Sequence, residues 1–183
     1  MFQSHDLISP KYRDMQRVLH AAPRGYGGRG DKWAGVVVQI AQEYRATSIL
    51  DYGCGQGSLM RTLRTLPLAG WALAEYDPAI PGKDTLPDAA DLVVCTDVLE
   101  HIEKKRLGAV LAHLRALAQR VLWVVVSTKA SNKILPDGRN AHLIIKPAPW
   151  WKTRFRDAGF TLRTAPTVVR AVPEKEWSVI LLP

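Results

Sequence analysis

The chain is poor in cysteine. It has two, Cys54 and Cys95, in 183 residues, and their spacing builds neither a disulfide framework nor a zinc set. No apolar run approaches the roughly 20 residues that span a bilayer. The first residues, Met1-Phe2-Gln3-Ser4-His5-Asp6, lack the basic-then-apolar pattern of a secretory leader. No internal repeat or low-complexity tract appears. Together these absences predict a cytoplasmic, reducing setting and no membrane partner. Acids are also scarce, 17 against 25 Lys and Arg, for a formal charge of +8. That balance permits an anionic partner, nucleic acid included, and fits ordinary solubility equally well. The length suits one domain with a proper core. Nothing in the sequence sets an oligomeric state.

What the chain has is a glycine-rich turn. In Thr47-Ser48-Ile49-Leu50-Asp51-Tyr52-Gly53-Cys54-Gly55-Gln56-Gly57-Ser58, an apolar run ends in an acid, glycine falls at every second position, and a helical pattern begins. A strand that turns on glycine into a helix presents backbone N–H groups to a ligand. The dinucleotide spacing G-x-G-x-x-G is not met, because Ser58 stands at the third glycine position. Asp51 would also meet a pyrophosphate with like charge, whereas it suits a cationic amino-acid group. An NAD-type oxidoreductase is therefore the weaker alternative.

Periodicity gives the rest. A helix is expected over Pro10–His20, with Tyr12, Met15, Val18 and Leu19 on one side. Residues 22–30, rich in glycine and arginine, form a loop. Residues 1–32 thus read as an N-terminal helix with a lid or substrate segment bearing Tyr26 and Arg29, and 33–183 as the main domain. Asp31 is a candidate N-cap for a helix to about 46. Strands are expected at 48–51, 70–76, 91–96, 121–127, 160–170 and 176–182, with helices near 57–66, 103–119 and 149–158. Between Asp77 and Asp91 four residues, Pro78, Pro81, Gly82 and Pro87, break any helix. The third-strand edge of the sheet is therefore expected to be reduced or missing. The fold class is α/β: a Rossmann-like doubly wound sheet of about six to seven strands, mostly parallel with an antiparallel C-terminal strand, and helices on both faces. Ligands of such sheets lie at the carboxyl ends of the strands. Asp77, about 20 residues beyond the glycines, stands where a carboxylate takes ribose hydroxyls.

Three segments in order, Ile49 to Gly57, Tyr76-Asp77-Pro78, and Asp91-Leu92-Val93-Val94-Cys95-Thr96-Asp97-Val98-Leu99-Glu100-His101-Ile102, resemble the motifs of small class I S-adenosylmethionine (SAM) dependent methyltransferases of the type 11 group. The Asn140-Ala141-His142 segment followed by Trp150-Trp151 is similar to phage-encoded members. The resemblance implies SAM as cofactor. Asp51, Tyr52, Gly53, Cys54, Gly55 and Gly57 would hold its methionine part. Tyr76, Asp77 and Pro78 would hold the ribose and flank the adenine. Thr96, Asp97, Val98 and His101 would line the sulfonium side. The family's adenine-binding acid has no clear counterpart in the shortened segment, where Asp84 and Asp88 are the substitutes.

Methyl transfer from a sulfonium is an in-line displacement, so the protein mainly aligns the nucleophile and excludes water. If the acceptor must lose a proton, His142 and Asp97 are the candidate bases, and Tyr26, Arg29, Asn140 and His142 the candidate substrate contacts. The five histidines form no recognisable metal pattern, so no metal is expected. The Asn/Asp-Pro-Pro-aromatic motif of amino-group DNA methyltransferases is lacking, as is a Pro-Cys nucleophile. Basic residues crowd Lys129 to Arg170. If they ring the cavity, the expected acceptor is small and anionic: a nucleotide, a nucleic-acid component or a phosphorylated metabolite. A non-catalytic, methyltransferase-like binding protein is the other alternative.

Overall fold

A computed structural model describes residues 2–21, 26–163 and 175–183. Its centre is a six-stranded sheet in the order β2-β1-β3-β4-β6-β5. The strands are β1 (Ser48–Tyr52), β2 (Ala72–Tyr76), β3 (Ala90–Thr96), β4 (Ala118–Ser127), β5 (Thr161–Arg163) and β6 (Glu176–Leu182). The first four run parallel, and β6 runs antiparallel to both β4 and β5. The helices are α1 (Ser4–Leu7), α2 (Pro10–Ala21), α3 (Ala34–Glu43), α4 (Ser58–Leu63), α5 (Leu107–Leu117) and α6 (Ala148–Asp157).

The sheet is buried on both faces, which is why β3 and β4 read as continuous apolar runs. Along β4, Leu122, Val124 and Val126 pack with Leu111 and Leu114 of α5 and with Trp151 and Phe155 of α6. The intervening Val121, Trp123 and Val125 pack with Val37 and Ile40 of α3 and with Leu59 and Leu63 of α4. This two-residue alternation fixes which side of the sheet each helix covers.

No helix or strand forms between β2 and β3, so β2 is the sheet's edge, as the proline-broken segment requires. That segment turns instead, with the Asp77 amide donating to the Lys83 carbonyl at 2.9 Å and the Ile80 amide to the Asp77 carbonyl at 3.2 Å. Asp31 is not a cap. It lies in a 3-10 turn, Gly30–Trp33, and α3 starts behind Trp33 without a side-chain cap. Val18 also departs from expectation. It is 60% exposed, while Tyr12 and Met15 of the same helix are buried. The expected strand over 160–170 is seen as β5, and the rest of it lies outside the described residues. None of the described helices is long and apolar enough to cross a membrane.

Candidate active site

A cavity of about 550 Å³ opens at the carboxyl ends of β1, β2 and β3. It falls within the range of cofactor sites, ~300–1,000 Å³. Its floor is the turn after β1. Gly53, Gly55 and Gly57 all have positive φ, at 79°, 51° and 72°, a conformation in which side chains are strained. Gly55 is also confined by space: a Cβ there would come 2.5 Å from the Gly27 carbonyl oxygen. The turn is tied from several sides. The Gly53 and Cys54 amides donate to the Tyr76 carbonyl at 2.7 and 3.1 Å, and the Gln56 amide donates to the Gly27 carbonyl at 3.0 Å. One Asp77 oxygen accepts from the Gly55 amide and the other from the Ala79 amide, each at 2.9 Å.

Asp51 is buried at the end of β1. Burial first, then the negative field of Glu75 and Asp77, pushes its carboxyl up to about 7, with Lys83 acting in the opposite sense. A group held this far up is poised to ionise when a cation arrives. Lys83 itself pairs with Glu75 at 2.5 Å, and Arg64 pairs with the other Glu75 oxygen at 2.8 Å. The Lys83 ammonium also reaches the Gly55 carbonyl at 3.4 Å. Sequence reasoning did not single out Lys83 or Glu75. Their only signal was opposite charge, near the end of β2 and in the turn that follows it.

The wall after β3 carries Thr96, Asp97, Val98 and His101. Asp97 holds φ at 57°, which is uncommon for a residue with a Cβ and is found where surroundings impose it. Its amide donates to the Val125 carbonyl at 2.9 Å. Its carboxylate lies 3.5 Å from the Lys32 ammonium, which also approaches Glu176 at 3.7 Å.

The roof comes from the N-terminal segment. Tyr12, Gln16 and His20 of α2 line the cavity, as do Tyr26 and residues 27–30. The Tyr26 hydroxyl lies 2.8 Å from His101 Nδ1 and 3.3 Å from Nε2. His101 Nδ1 is also 2.8 Å from the Ala141 carbonyl. A carbonyl only accepts, so Nδ1 carries the proton and Nε2 is left to accept from Tyr26. Burial, then the nearby His142, lowers the His101 pKa to about 3, so the ring is neutral. The Tyr12 hydroxyl donates to the His101 carbonyl at 2.5 Å.

Of the expected cofactor residues, Asp51, Tyr52, Gly53, Cys54, Gly55, Asp77, Pro78, Thr96, Asp97, Val98 and His101 line the cavity. Gly57 and Tyr76 do not. Tyr76 is wholly buried against Tyr52 and serves the turn through its carbonyl. Gly57 starts α4. Tyr26 and Arg29 reach the cavity, whereas Asn140 and His142 stand outside its wall. The Asn140 amide staples its own loop, accepting from the Ser131 and His142 amides and donating to the Ser131 carbonyl. His142 Nδ1 is 2.6 Å from the Lys129 carbonyl, and its ring stands edge-on to His101 at 4.7 Å. It meets the cavity only through His101. Asp84 and Asp88 are likewise absent from the wall; Asp84 faces Arg17 at 3.9 Å. The basic residues divide. Lys133 and Arg29 edge the cavity. Lys146 and Arg154 instead flank Trp150 beside α5.

The methyltransferase-domain family profile matches residues 13–175, beginning inside α2. No curated protein matches the sequence. Solved structures do match in fold. One is a DhpI complex with S-adenosylhomocysteine, at TM-score 0.63 and 17% identity, covering 96% of this chain and 98% of that one. Another is the 1,6-didemethyltoxoflavin-N1-methyltransferase of Burkholderia thailandensis, at TM-score 0.59 and 17% identity, covering 94% and 83%. An O-methyltransferase family protein of the same organism matches at TM-score 0.51 and 16% identity over 84% of this chain, which spans only 57% of that longer one. With the family profile covering nearly the whole chain and the glycine turn, paired acids and sheet order in place, the chain belongs to the methyltransferase-domain family, SAM-dependent methyltransferases of the class I fold.

Proposed function

We propose that this chain moves a methyl group from SAM to a small anionic acceptor. The observation that carries the cofactor half is buried Asp51 beside an open glycine turn, with Asp77 across it. The residues present fit the group. Asp51 would meet a cationic amino-acid moiety, the turn would let its backbone approach closely, and Asp77 retains lone pairs for ribose hydroxyls beyond its two amide bonds. Bound there, SAM supplies a methyl carbon on a positively charged sulfur. The solved relatives that carry S-adenosylhomocysteine support this reading.

The acceptor half rests on charge. Arg29 and Lys133 edge the cavity and make no ion pair within 4.0 Å among the described residues. Unpaired cations at a cavity mouth suit a phosphate or carboxylate. Tyr26 and His101 would orient the acceptor, since a neutral ring of such low basicity holds a proton donor better than it removes a proton. Asp97, on the wall and in a strained conformation, is the base for an acceptor that loses its proton as the new bond to carbon forms.

The test is release of S-adenosylhomocysteine with matched acceptors, phosphorylated and unphosphorylated, and with nucleosides against nucleotides. The expected result is turnover of the anionic member of a pair and its loss in Asp51→Ala. Equal turnover of neutral and anionic acceptors would remove the anionic assignment. Cofactor binding without turnover of any acceptor would favour a binding protein.

A further inference from the structure

Behind the cavity wall, Glu100, His101 and His142 each bring one ligand-capable atom within 4.8 Å of the others. Glu100 is fully buried and follows β3 in a 3-10 turn, Leu99–His101. Its Oε1 accepts from the Ser127 amide at 2.8 Å. Its Oε2 is buried with no hydrogen-bond partner among the described residues. An orphaned carboxylate oxygen is costly in a protein interior and calls for an explanation. The two imidazoles supply one. His101 Nδ1 is held by the Ala141 carbonyl and His142 Nδ1 by the Lys129 carbonyl. A backbone carbonyl on one ring nitrogen fixes the tautomer and leaves Nε2 as a lone-pair donor, the outer-shell arrangement of metal-bound histidines. Both rings are therefore oriented, by two carbonyls of the loop after β4, within reach of the Glu100 carboxylate.

We infer that Glu100, His101 and His142 form a site for a divalent first-row transition ion. Two nitrogens and one carboxylate oxygen suit manganese, zinc or cobalt rather than the all-oxygen shell preferred by magnesium or calcium. Three protein ligands leave coordination positions open. His101 is also part of the cavity wall, and an ion on its Nε2 would displace the Tyr26 hydroxyl, now 3.3 Å from that nitrogen, so the site would open toward the cavity. An acceptor oxygen bound there would give up its proton more readily and would be fixed in line. This last role rests on the methyl-transfer reading, whereas ion binding does not.

The experiment follows the ion alone. Metal-stripped full-length protein is titrated with Mn2+ while the electron paramagnetic resonance signal of the free ion is recorded. Co2+ is then added in its place and its visible d–d bands are measured. One Mn2+ per chain and Co2+ bands of a mixed nitrogen and oxygen shell are expected. His142→Ala should weaken Mn2+ binding by about tenfold to a hundredfold or more, as losses around metal ligands do, and Glu100→Gln should do the same. Glu100 is deep in the core and its variant can fail to fold. His142, at the protein surface beside Lys129, gives the decisive variant, with circular dichroism as the check on folding. A free-ion signal that does not fall with wild-type protein in excess overturns the site, and so does equal Mn2+ uptake by His142→Ala. SAM calorimetry is run separately, so a missing metal and a missing cofactor are distinct outcomes.

Discussion

The two ends of the cavity are built differently. The cofactor end comes from short stretches, the turn after β1 and the acid after β2, and most of its bonds are backbone bonds inside or between those two turns. The acceptor end is a convergence of distant segments. Tyr26 reaches His101 across 75 residues, and His101 reaches Ala141 across another 40. A backbone-built cradle tolerates little change of residue type at the glycines and, beyond its own two turns, leans on the chain mainly at Gly27. A convergent wall depends on loops whose positions are set by the whole fold, so it can be retuned for another acceptor without disturbing the cradle.

The sharpest way to break this contrast is a branched side chain in the cradle. Gly55→Val must adopt φ near 51° and drive its Cβ against the Gly27 carbonyl. A strained backbone position costs about 1–3 kcal/mol before the clash is counted. Calorimetry should find no SAM binding, and thermal unfolding should move to lower temperature. Gly35→Ala, exposed on α3 and outside the cavity, is the control. Its Cβ would meet nothing within 4 Å among the described residues, so SAM binding should stay near wild type and unfolding should not move to lower temperature. Equal damage from the two variants would mean that the closeness of Gly55 to Gly27 is not what matters.

Asp51 sharpens the contrast through pH. Its native carboxyl titrates near 7 because of burial and of Glu75 and Asp77, against the pull of Lys83, while an unfolded aspartate titrates near 3.9. The folded chain thus holds a proton that the unfolded chain has lost between those values, and the group's contribution to stability falls as pH rises from about 4 to 7. Asp51→Asn should therefore stabilise the ligand-free protein at pH 8 by on the order of 1–3 kcal/mol, seen in urea unfolding. The same change should weaken SAM binding by at least about tenfold, the measure of a lost charge-assisted contact of ~1.5–3 kcal/mol. In the wild type, SAM affinity should climb as pH rises through 7. A flat affinity profile from pH 6 to 8 would show that the carboxylate does not meet the cofactor's cation.

The same contrast explains what could be seen in the sequence. The strand positions, the missing edge and the cradle were legible because they rest on local signals: apolar runs, prolines, and alternating glycines after an acid. The convergent wall was not. Asn140 and His142 stood out as polar residues in a long loop, but nothing local says that Asn140 spends its amide on Ser131 or that His142 lies behind His101 rather than on the cavity. The pairing of His101 with His142 needs the loop after β4 to fold back over the turn after β3, through the Ile144 amide to the Glu100 carbonyl at 2.9 Å. That bond joins segments 44 positions apart, and no short-range pattern encodes it. Conversely, the Asp31 cap failed because a 3-10 turn runs ahead of α3 and moves the true helix start beyond its reach.

A milder change touches only the wall. Tyr26→Phe removes the hydroxyl that meets His101 while keeping the ring that stands edge-on to it at 5.6 Å. Turnover should fall by about tenfold to a hundredfold, the scale of a lost positioning contact in a reacting complex, with SAM affinity held. A fall in SAM affinity matching the fall in turnover would mean that the roof serves the cofactor end instead, and the division between the two ends would dissolve.

The smallest effect is expected at Asn140, and it discriminates most finely. Asn140→Ala removes three hydrogen bonds within the loop after β4, at 2.7, 2.9 and 3.0 Å. Water reaches this loop, so each bond is worth only about 0.5–1.5 kcal/mol, and much of that is recovered by solvent. Global unfolding should barely change. The loop also carries Ala141 and His142, however, and through them it sets the orientation of His101. Amide hydrogen exchange across residues 131–142 should therefore quicken, and turnover should fall a few-fold, while SAM affinity stays constant. A loop that merely covers the surface would show the faster exchange without the change in turnover.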